Sequence, residues 1–230
     1  MVFEKGYLYH IFNQGNNKQK IFYTRDNYIY FLKKINNHIL PFVDILSWCL
    51  MPNHFHLMVL VDRTEVNSEE LVHSTINNQD KKSEENIHLM TYNQPENGQM
   101  NIKTRTLNKS IAIMLRSYTR AINKQENRTG SLFKPHTQAA CINCFNSIKP
   151  TNIHSNILIN SHLSKKQYPQ VCFDYIHQNP VKAKLVKKAV DWEFSSAKDY
   201  AGLRNGKLIN KKVTEEYIDI SAEIFDEIYL

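Results

Sequence analysis

The chain has 230 residues, of which 42% are hydrophobic, so it is long and apolar enough to bury a substantial core. No apolar run reaches the roughly 18 residues of a membrane span, and the first residues lack the apolar stretch of a secretion signal, which predicts a cytoplasmic protein without a membrane partner. The formal net charge of +7 favours a polyanionic partner such as nucleic acid. In a cytosolic chain, the four cysteines are most simply free thiols.

The first 62 residues predict a strand, a helix and two further strands. Residues 6–13 are aromatic and apolar and favour a strand, and the letters QGNNKQ that follow are typical of a turn. The stretch Thr24–His38 opens with helix-start residues and has apolar side chains at helical spacing. Residues 43–52 and 53–62 predict two strands joined by a Met-Pro-Asn turn. This order is typical of helices layered on an antiparallel sheet.

The middle of the chain is less regular. Residues 63–106 are polar, with only short apolar patches, and predict a partly mobile insertion. A helix is predicted from about Leu107 to Lys124, because apolar residues recur on one face of it. Residues 136–168 show no clear period, so no structure is predicted for them.

Two helices are predicted near the end of the chain. One runs from about Pro169 to His177 and ends before Pro180, and the other covers about Thr214 to Ile228. Residues 1–200 are expected to form one domain, and residues 201–230 a helical C-terminal extension.

His54 and His56 stand two residues apart in the predicted strand 53–62. Side chains two apart in a strand point to the same face, so both imidazoles project together while Phe55 faces the other way. Two neighbouring imidazoles are a ready pair of ligands for a divalent metal ion. The pattern is common, however, and two ordinary histidines at a strand edge explain it equally well.

Tyr118 lies on the apolar face of the predicted helix 107–124. It is either a core tyrosine whose hydroxyl finds a buried partner, or a nucleophile that the helix turns toward the histidine pair. A tyrosine with a pKa near 10 is a weak nucleophile, and a metal ion that polarises a phosphate makes its attack feasible. Both interpretations are open at this point.

Two groups of basic residues are candidate DNA contacts, although each residue could equally belong to a solvated face: Arg116, Arg120, Lys124 and Arg128 in the first, and Lys182, Lys184, Lys187 and Lys188 in the second. Tyr175, His177 and Trp192 are candidates for stacking on unpaired bases, with core packing favoured for Trp192.

Cys141 and Cys144 form a Cys-x-x-Cys pair that suggests a zinc site, completed by His136, His154 or Cys172. A single pair without a second one is a weak zinc motif.

Four segments, in the right order, resemble the HUH-type single-tyrosine transposases, and in particular their insertion-sequence-200-like and REP-associated members. PNHFHLMV resembles the His-hydrophobe-His motif of HUH nucleases, and SYTRAINKQENRTGSLF resembles the tyrosine-bearing helix and the turn after it. Residues 175–200 closely resemble a segment typical of the REP-associated members, and NQGNNKQKIF at 13–22 resembles the first turn of the family.

The resemblance implies an α+β fold, with an antiparallel sheet of ferredoxin-like type and helices packed on one face. It implies that His54 and His56, with a polar side chain, hold Mg²⁺ or Mn²⁺ on the scissile phosphate. Tyr118 then attacks the phosphorus and forms a 5′-phosphotyrosine link, which keeps the bond energy for rejoining. The implied substrate is single-stranded DNA that carries a hairpin, and members of the family are monomers or homodimers.

The chain also departs from the family pattern. Related transposases often place a glutamine four residues after the tyrosine as a third metal ligand, and here that position is Ile122. Asn123, the nearest polar residue and the candidate third ligand, lies about 140° round the helix from Tyr118. The family tends to carry arginine shortly after the Leu-Phe pair, where this chain has LFKPHTQ.

Three alternative functions are therefore open. The first is an active strand transferase, and the second is a hairpin-binding protein that has lost catalysis. The third is a metal-dependent hydrolase that uses the histidine pair and a water molecule, for which the sequence offers no further ligands.

Overall fold

The computed structural model describes residues 1–67, 104–144 and 167–220. The strands within these ranges are β1 (Leu8–Gln14), β2 (Val43–Met51), β3 (His54–Val61), β4 (Glu65–Asn67), β5 (Thr104–Thr106) and β6 (Gln138–Cys141). The α-helices are α1 (Arg25–His38), α2 (Leu107–Gln125), α3 (Gln167–Lys182), α4 (Ala197–Tyr200) and α5 (Lys211–Glu215), with 3₁₀ turns at Asn16–Lys18 and Ala189–Asp191. The predicted strands and helices up to residue 125 are thus confirmed.

Four of the strands form one antiparallel sheet in the spatial order β2-β3-β1-β6, and β4 pairs with β5 separately. Along the chain, these four strands and the two helices between them follow the order strand, helix, strand, strand, helix, strand. This order and this sheet arrangement are those of the ferredoxin-like layer. The predicted α+β class with an antiparallel sheet is therefore confirmed.

One side of the sheet is covered by α1 and α2. Alternate residues of β3, from Phe55 to Val61, point to this side and join Phe31 of α1 and Met114 of α2 in the larger apolar cluster. The start of α2 is fixed by the Thr106 hydroxyl, which accepts a hydrogen bond from Lys109 N at 3.2 Å. These two helices follow the one-face arrangement that the resemblance implied.

The opposite side of the sheet is covered as well, by α3. Leu8 of β1 and Met58 of β3 point to this side and pack with Phe173 and Ile176 of α3. The expectation of helices on one face is therefore incomplete: both faces of the central strands carry apolar residues, and each needs a covering layer. Because α3 follows the last strand, it reaches this second face without being a crossover between strands.

The outer edge of β2 is closed by the chain that follows the second 3₁₀ turn. Leu50 N donates to Phe194 O at 2.8 Å, and Ser196 N donates to Trp48 O at 2.9 Å. The Ser196 hydroxyl also lies 2.6 Å from Nε2 of His177, which ties α3 to this edge. These bonds pair backbone groups that an edge strand otherwise exposes.

Two helix boundaries near the end of the chain differ from the prediction. Pro180 lies inside α3, in its last turn. Proline has no N–H to donate, and at this position only the Ile176 carbonyl loses its helical hydrogen bond, so the helix tolerates it. The terminal helix starts at Lys211 rather than Thr214, because the Asn210 side chain accepts from Val213 N and caps it there. Residues 216–220 are not helical, and 221–228 lie outside the described residues.

The structure describes parts of the two irregular segments, 63–106 and 136–168. The ends of the predicted insertion form the β4–β5 pair, and its residues 68–103 lie outside the described ranges. The segment 136–168 contributes the edge strand β6, which the sequence concealed because it is only four residues long and not fully buried. Among the described helices, none is long and apolar enough to cross a membrane.

The cysteines divide into two pairs. Cys49 and Cys172 are buried free thiols, as expected, whereas Cys141 and Cys144 form a disulfide, so the free-thiol prediction is wrong for these two. Within the described ranges there is no group of three or more His, Cys, Asp or Glu that could hold a metal ion, which leaves the zinc interpretation without support. His154, one of its candidate ligands, lies outside the described residues.

Candidate active site

The two histidines of β3 project from the sheet face that α3 covers. Their ring centroids are 4.9 Å apart and the ring planes stand at 84° to each other. Phe55 between them points into the opposite apolar cluster. The prediction that both imidazoles share one face is confirmed, and that face is the α3 side.

The Nδ1 atom of each ring is engaged by a polar neighbour. Nδ1 of His54 lies 2.6 Å from Asn53 Oδ1, and Nδ1 of His56 lies 2.9 Å from Nε2 of His10. An amide oxygen only accepts, so a neutral His54 carries its proton on Nδ1 and its lone pair on Nε2. The Asn53 amide is oriented by its own Nδ2, which donates to Lys18 O at 3.3 Å. His54 is thereby held in the tautomer in which Nε2 can bind a metal ion.

Tyr175 of α3 lies against these histidines. Its ring centroid is 5.5 Å from that of His56 and 6.2 Å from that of His10, with nearly perpendicular planes. Burial raises the pKa of Tyr175, and the Asn179 side chain partly offsets that rise by hydrogen bonding. Asn179 stands one helical turn further on, where its Nδ2 donates to Tyr175 O at 3.0 Å. The structure thus brings a half-buried phenol, predicted only as a base-stacking candidate, beside His56.

Tyr118 lies on the other side of the sheet. It is fully buried in the cluster beneath α1 and α2, where its hydroxyl donates to Ile21 O at 2.7 Å and its ring meets Phe31 edge-on at 4.8 Å. Burial raises the pKa of Tyr118 strongly, which opposes the formation of a phenolate. The structure does not bring Tyr118 to His54 and His56, since the sheet separates them, and Tyr118 has the contacts of a core tyrosine.

The predicted third ligand, Asn123, and the first group of basic residues predicted to contact DNA lie on the same helix as Tyr118 or in the turn after it. Asn123 Nδ2 donates to Gly130 O at 2.9 Å, at the end of α2 and away from the histidine face. Arg128 donates to Gln19 Oε1 at 2.8 Å and supports the turn after β1. The remaining predicted contacts on this helix are exposed: Arg116, Arg120 and Lys124.

The second basic cluster lies nearer to the candidate site. Nζ of Lys182 stands 5.3 Å from the centroid of the Tyr175 ring, and both Lys182 and Lys184 are exposed. The two other base-stacking candidates are structural: His177 is fully buried, and Trp192 donates its Nε1–H to Leu50 O at 3.0 Å. Core packing, the interpretation favoured for Trp192 from the sequence, agrees with these contacts.

Gln14 of β1 is a site residue that the sequence interpretation missed. Its Cα pairs with that of His54 across the sheet, so the two side chains lie side by side on one face. Gly15 N donates to Asn53 O at 2.7 Å, which makes Gln14 and His54 the next pair inward, at a non-hydrogen-bonded position where side chains approach most closely. The Gln14 Oε1 atom is buried and has no hydrogen-bond partner among the described residues.

The turn after β1 holds the start of β3 in place. A Cβ on Gly15 would lie 2.1 Å from Gln19 O, so this position accepts only glycine without a backbone shift. We expect Gly15→Ala to lower the free energy of unfolding by about 1–3 kcal/mol, measured by urea denaturation. Gly130→Ala measures backbone strain alone, because nothing lies near its Cβ and its φ of +84° costs a side chain about 1–2 kcal/mol. A loss of less than about 1 kcal/mol in Gly15→Ala would contradict the close-approach explanation.

Comparison with known proteins yields one structural likeness. No protein family and no curated protein matches the chain. Among solved structures, a REP-associated tyrosine transposase bound to a REP hairpin is similar, with 16% sequence identity and a TM-score of 0.46 over 89% of this chain and 86% of that one. At this identity and TM-score, the likeness does not establish family membership.

Proposed function

We propose that this protein cuts and rejoins single-stranded DNA through a covalent link between Tyr175 and a 5′-phosphate. The observation that carries the proposal is the position of the Tyr175 ring, 5.5 Å from that of His56, on the face from which both histidines project. A nucleophile beside a pair of metal ligands is the arrangement that phosphoryl transfer to tyrosine needs. The sheet keeps Tyr118 from that role.

The donor set of the site suits Mg²⁺ or Mn²⁺. His54 and His56 would bind through Nε2, because their Nδ1 atoms are engaged elsewhere. The buried Oε1 of Gln14, which lacks a partner among the described residues, is an oxygen donor beside them. The amide oxygen is a donor that these ions prefer, whereas the choice of Mg²⁺ or Mn²⁺ for the two imidazoles comes from the resemblance. When bound, such an ion withdraws charge from the scissile phosphate.

The reaction that we assign to Tyr175 is a transesterification. Its hydroxyl oxygen attacks the phosphorus, the bond from phosphorus to the 3′-oxygen breaks, and the proton lost by the phenol ends on that 3′-oxygen. The Lys182 ammonium, 5.3 Å from the ring centroid, favours the negative charge that develops on the phenol oxygen. Attack of a free 3′-hydroxyl on the phosphotyrosine reverses these steps and rejoins the strand.

Asn179 fits the family pattern that Ile122 breaks. In the transposases that the chain resembles, a glutamine often stands four residues after the tyrosine, and asparagine carries the same amide group on a shorter side chain. Counted from Tyr175, that position is Asn179, one helical turn further along α3. The departure at Ile122 is one of two arguments for a hairpin-binding protein without catalysis, and it does not apply to a nucleophile on α3. The other argument, the LFKPHTQ segment without the arginine of the family, is unchanged.

DNA with a hairpin is the substrate that we propose. The net charge of +7, the exposed Lys182 beside the Tyr175 ring and the exposed Lys184 two residues further along the chain suit a polyanionic strand. The hairpin itself comes from the resemblance of residues 175–200 to the REP-associated transposases.

A denaturing-gel assay tests the proposed function. The protein is incubated with end-labelled, hairpin-bearing single strands from the flanks of its own gene, with Mn²⁺, with Mg²⁺ or with chelator. A metal-dependent protein–DNA adduct supports the proposal. Binding without cleavage in either metal favours the binding-only protein, and cleavage without an adduct favours the hydrolase.

The contribution of Gln14 can be tested on metal binding alone. We expect Gln14→Leu to weaken Mn²⁺ binding about tenfold or more, measured by calorimetric titration without DNA. The matched control is Gln138→Leu, which changes an exposed glutamine on β6. Equal Mn²⁺ affinity in the Gln14 variant and the wild type would remove Gln14 from the donor set.

A further inference from the structure

His10 lies beneath the proposed metal site, in the middle of β1. Its Cα pairs with those of Met58 and Ala140, and its side chain is completely buried. Nε2 of His10 is 2.9 Å from Nδ1 of His56, and the two rings are stacked with centroids 5.0 Å apart. Local sequence patterns do not indicate this pair, because the two residues are 46 positions apart.

The hydrogen bond between the two imidazoles holds a single proton, which has two possible positions. If the proton is on His56 Nδ1, the lone pair of a neutral His56 is on Nε2, where it can bind a metal ion. If the proton is on His10 Nε2, a neutral His56 is protonated on Nε2 and cannot be a ligand through that atom. Metal binding through Nε2 of His56 therefore requires His10 to accept.

We infer that His10 is a positioning residue, which accepts the Nδ1 proton of His56 and so fixes the ring orientation and the tautomer in which His56 binds metal. This inference rests on the proposed function, because it assigns His56 as a metal ligand. A ligating histidine whose second nitrogen donates to a fixed acceptor is held in place and is a stronger donor. His10 supplies that acceptor from a rigid central strand.

The described surroundings of His10 show no hydrogen-bond partner for it besides His56. Its Nδ1 atom is buried and has no hydrogen-bond partner among the described residues. Its ring contacts there are aromatic, with Phe12 at 4.7 Å and Tyr175 at 6.2 Å between centroids. The polar contact of His10 in the described part of the chain is thus to His56, and a neutral His10 that accepts there carries its own proton on Nδ1, among apolar neighbours.

Two substitutions of His10 distinguish the effect of losing the hydrogen-bond acceptor from the effect of losing side-chain volume. His10→Leu fills the space without an acceptor, whereas His10→Gln can place an amide oxygen near the position of Nε2. We expect His10→Leu to weaken Mn²⁺ binding by about 10–100-fold in calorimetric titration without DNA. His10→Gln should stay within a few-fold of the wild type. Wild-type affinity in His10→Leu would overturn the inference.

The wild-type protein and His56→Ala, titrated in parallel, show which claim fails. If His56→Ala binds Mn²⁺ as the wild type does, the proposed metal site fails and this inference with it. If His56→Ala loses binding but His10→Leu keeps it, the metal site stands and only the role of His10 is wrong.

A spectroscopic measurement on the wild type covers the case in which His10→Leu does not fold. With Mg²⁺ bound, nitrogen-15 spectra of labelled histidine should show His10 protonated on Nδ1 and His56 protonated on Nδ1. A His10 ring protonated on Nε2 in the Mg²⁺-bound protein would overturn the inference, because that nitrogen could then not accept from His56.

Discussion

Tyr175→Phe is expected to abolish the covalent protein–DNA adduct, with a loss of strand cleavage on the order of 10⁴-fold or more. The substitution removes only the hydroxyl oxygen that would attack the phosphorus. The phenyl ring can keep the packing against His56 and His10, so fold and DNA binding should be retained. The measurement is adduct formation on a denaturing gel with labelled single-stranded hairpins and Mn²⁺, alongside hairpin binding in a native gel.

Tyr118→Phe is the matched control, because it removes the same atom from the other face of the sheet. The Tyr118 hydroxyl donates to Ile21 O in the core, so its loss should cost about 1 kcal/mol of unfolding free energy. Cleavage and adduct yield should stay at the wild-type level. An adduct that persists in Tyr175→Phe and disappears in Tyr118→Phe would overturn the assignment and restore the first interpretation of the sequence.

The choice between these two tyrosines shows what sequence reasoning could and could not reach. Helical spacing placed Tyr118 on the apolar face of its helix, and α2 does bury that face. Spacing does not say which side of the sheet a helix covers, because that depends on where the chain crosses over. The crossover helices α1 and α2 share one side, and the histidines project from the other.

A usable signal for the second tyrosine was nevertheless present. Ile122, at the position where related transposases often have glutamine, is a feature of the sequence that argues against Tyr118 as the nucleophile. Tyr175 has an amide residue, Asn179, at the required spacing, in the very segment that most resembled the REP-associated members. The predicted helix ends at about His177, before Pro180, so it does not include Asn179. In the structure, Asn179 lies within α3, one helical turn after Tyr175.

Local spacing predicts that His54 and His56 share a face, but it does not predict their neighbours on β1, His10 and Gln14. Alternation along one strand suffices to put His54 and His56 on the same face. His10 and Gln14 reach them only through the register of β1 against β3, which pairs Gln14 with His54. Register depends on long-range packing and turn geometry, so the spacing of residues within one strand does not predict it.

Removing either imidazole of the pair is the second decisive change. We expect His54→Ala and His56→Ala each to reduce adduct formation to the level that the wild type shows with chelator. The physical reason is that two nitrogen donors hold the ion to which the phosphate would bind, and one donor holds it far more weakly. Adduct yield against Mn²⁺ concentration is the measurement, since a weakened site is recognised by partial recovery at high metal.

Binding of the hairpin without metal separates loss of the ion from loss of the fold. His54 and His56 lie on a strand whose opposite face is the main core, so truncating them should leave DNA affinity in chelator nearly unchanged. His136→Ala, at an exposed histidine in the chain before β6, is the control and should behave as the wild type in both assays. Full, metal-independent adduct formation by His54→Ala or His56→Ala would mean that the tyrosine acts without a metal ion at these histidines. The Lys182 ammonium, 5.3 Å from the centroid of the Tyr175 ring, would then be a positive charge that supports the attack without metal.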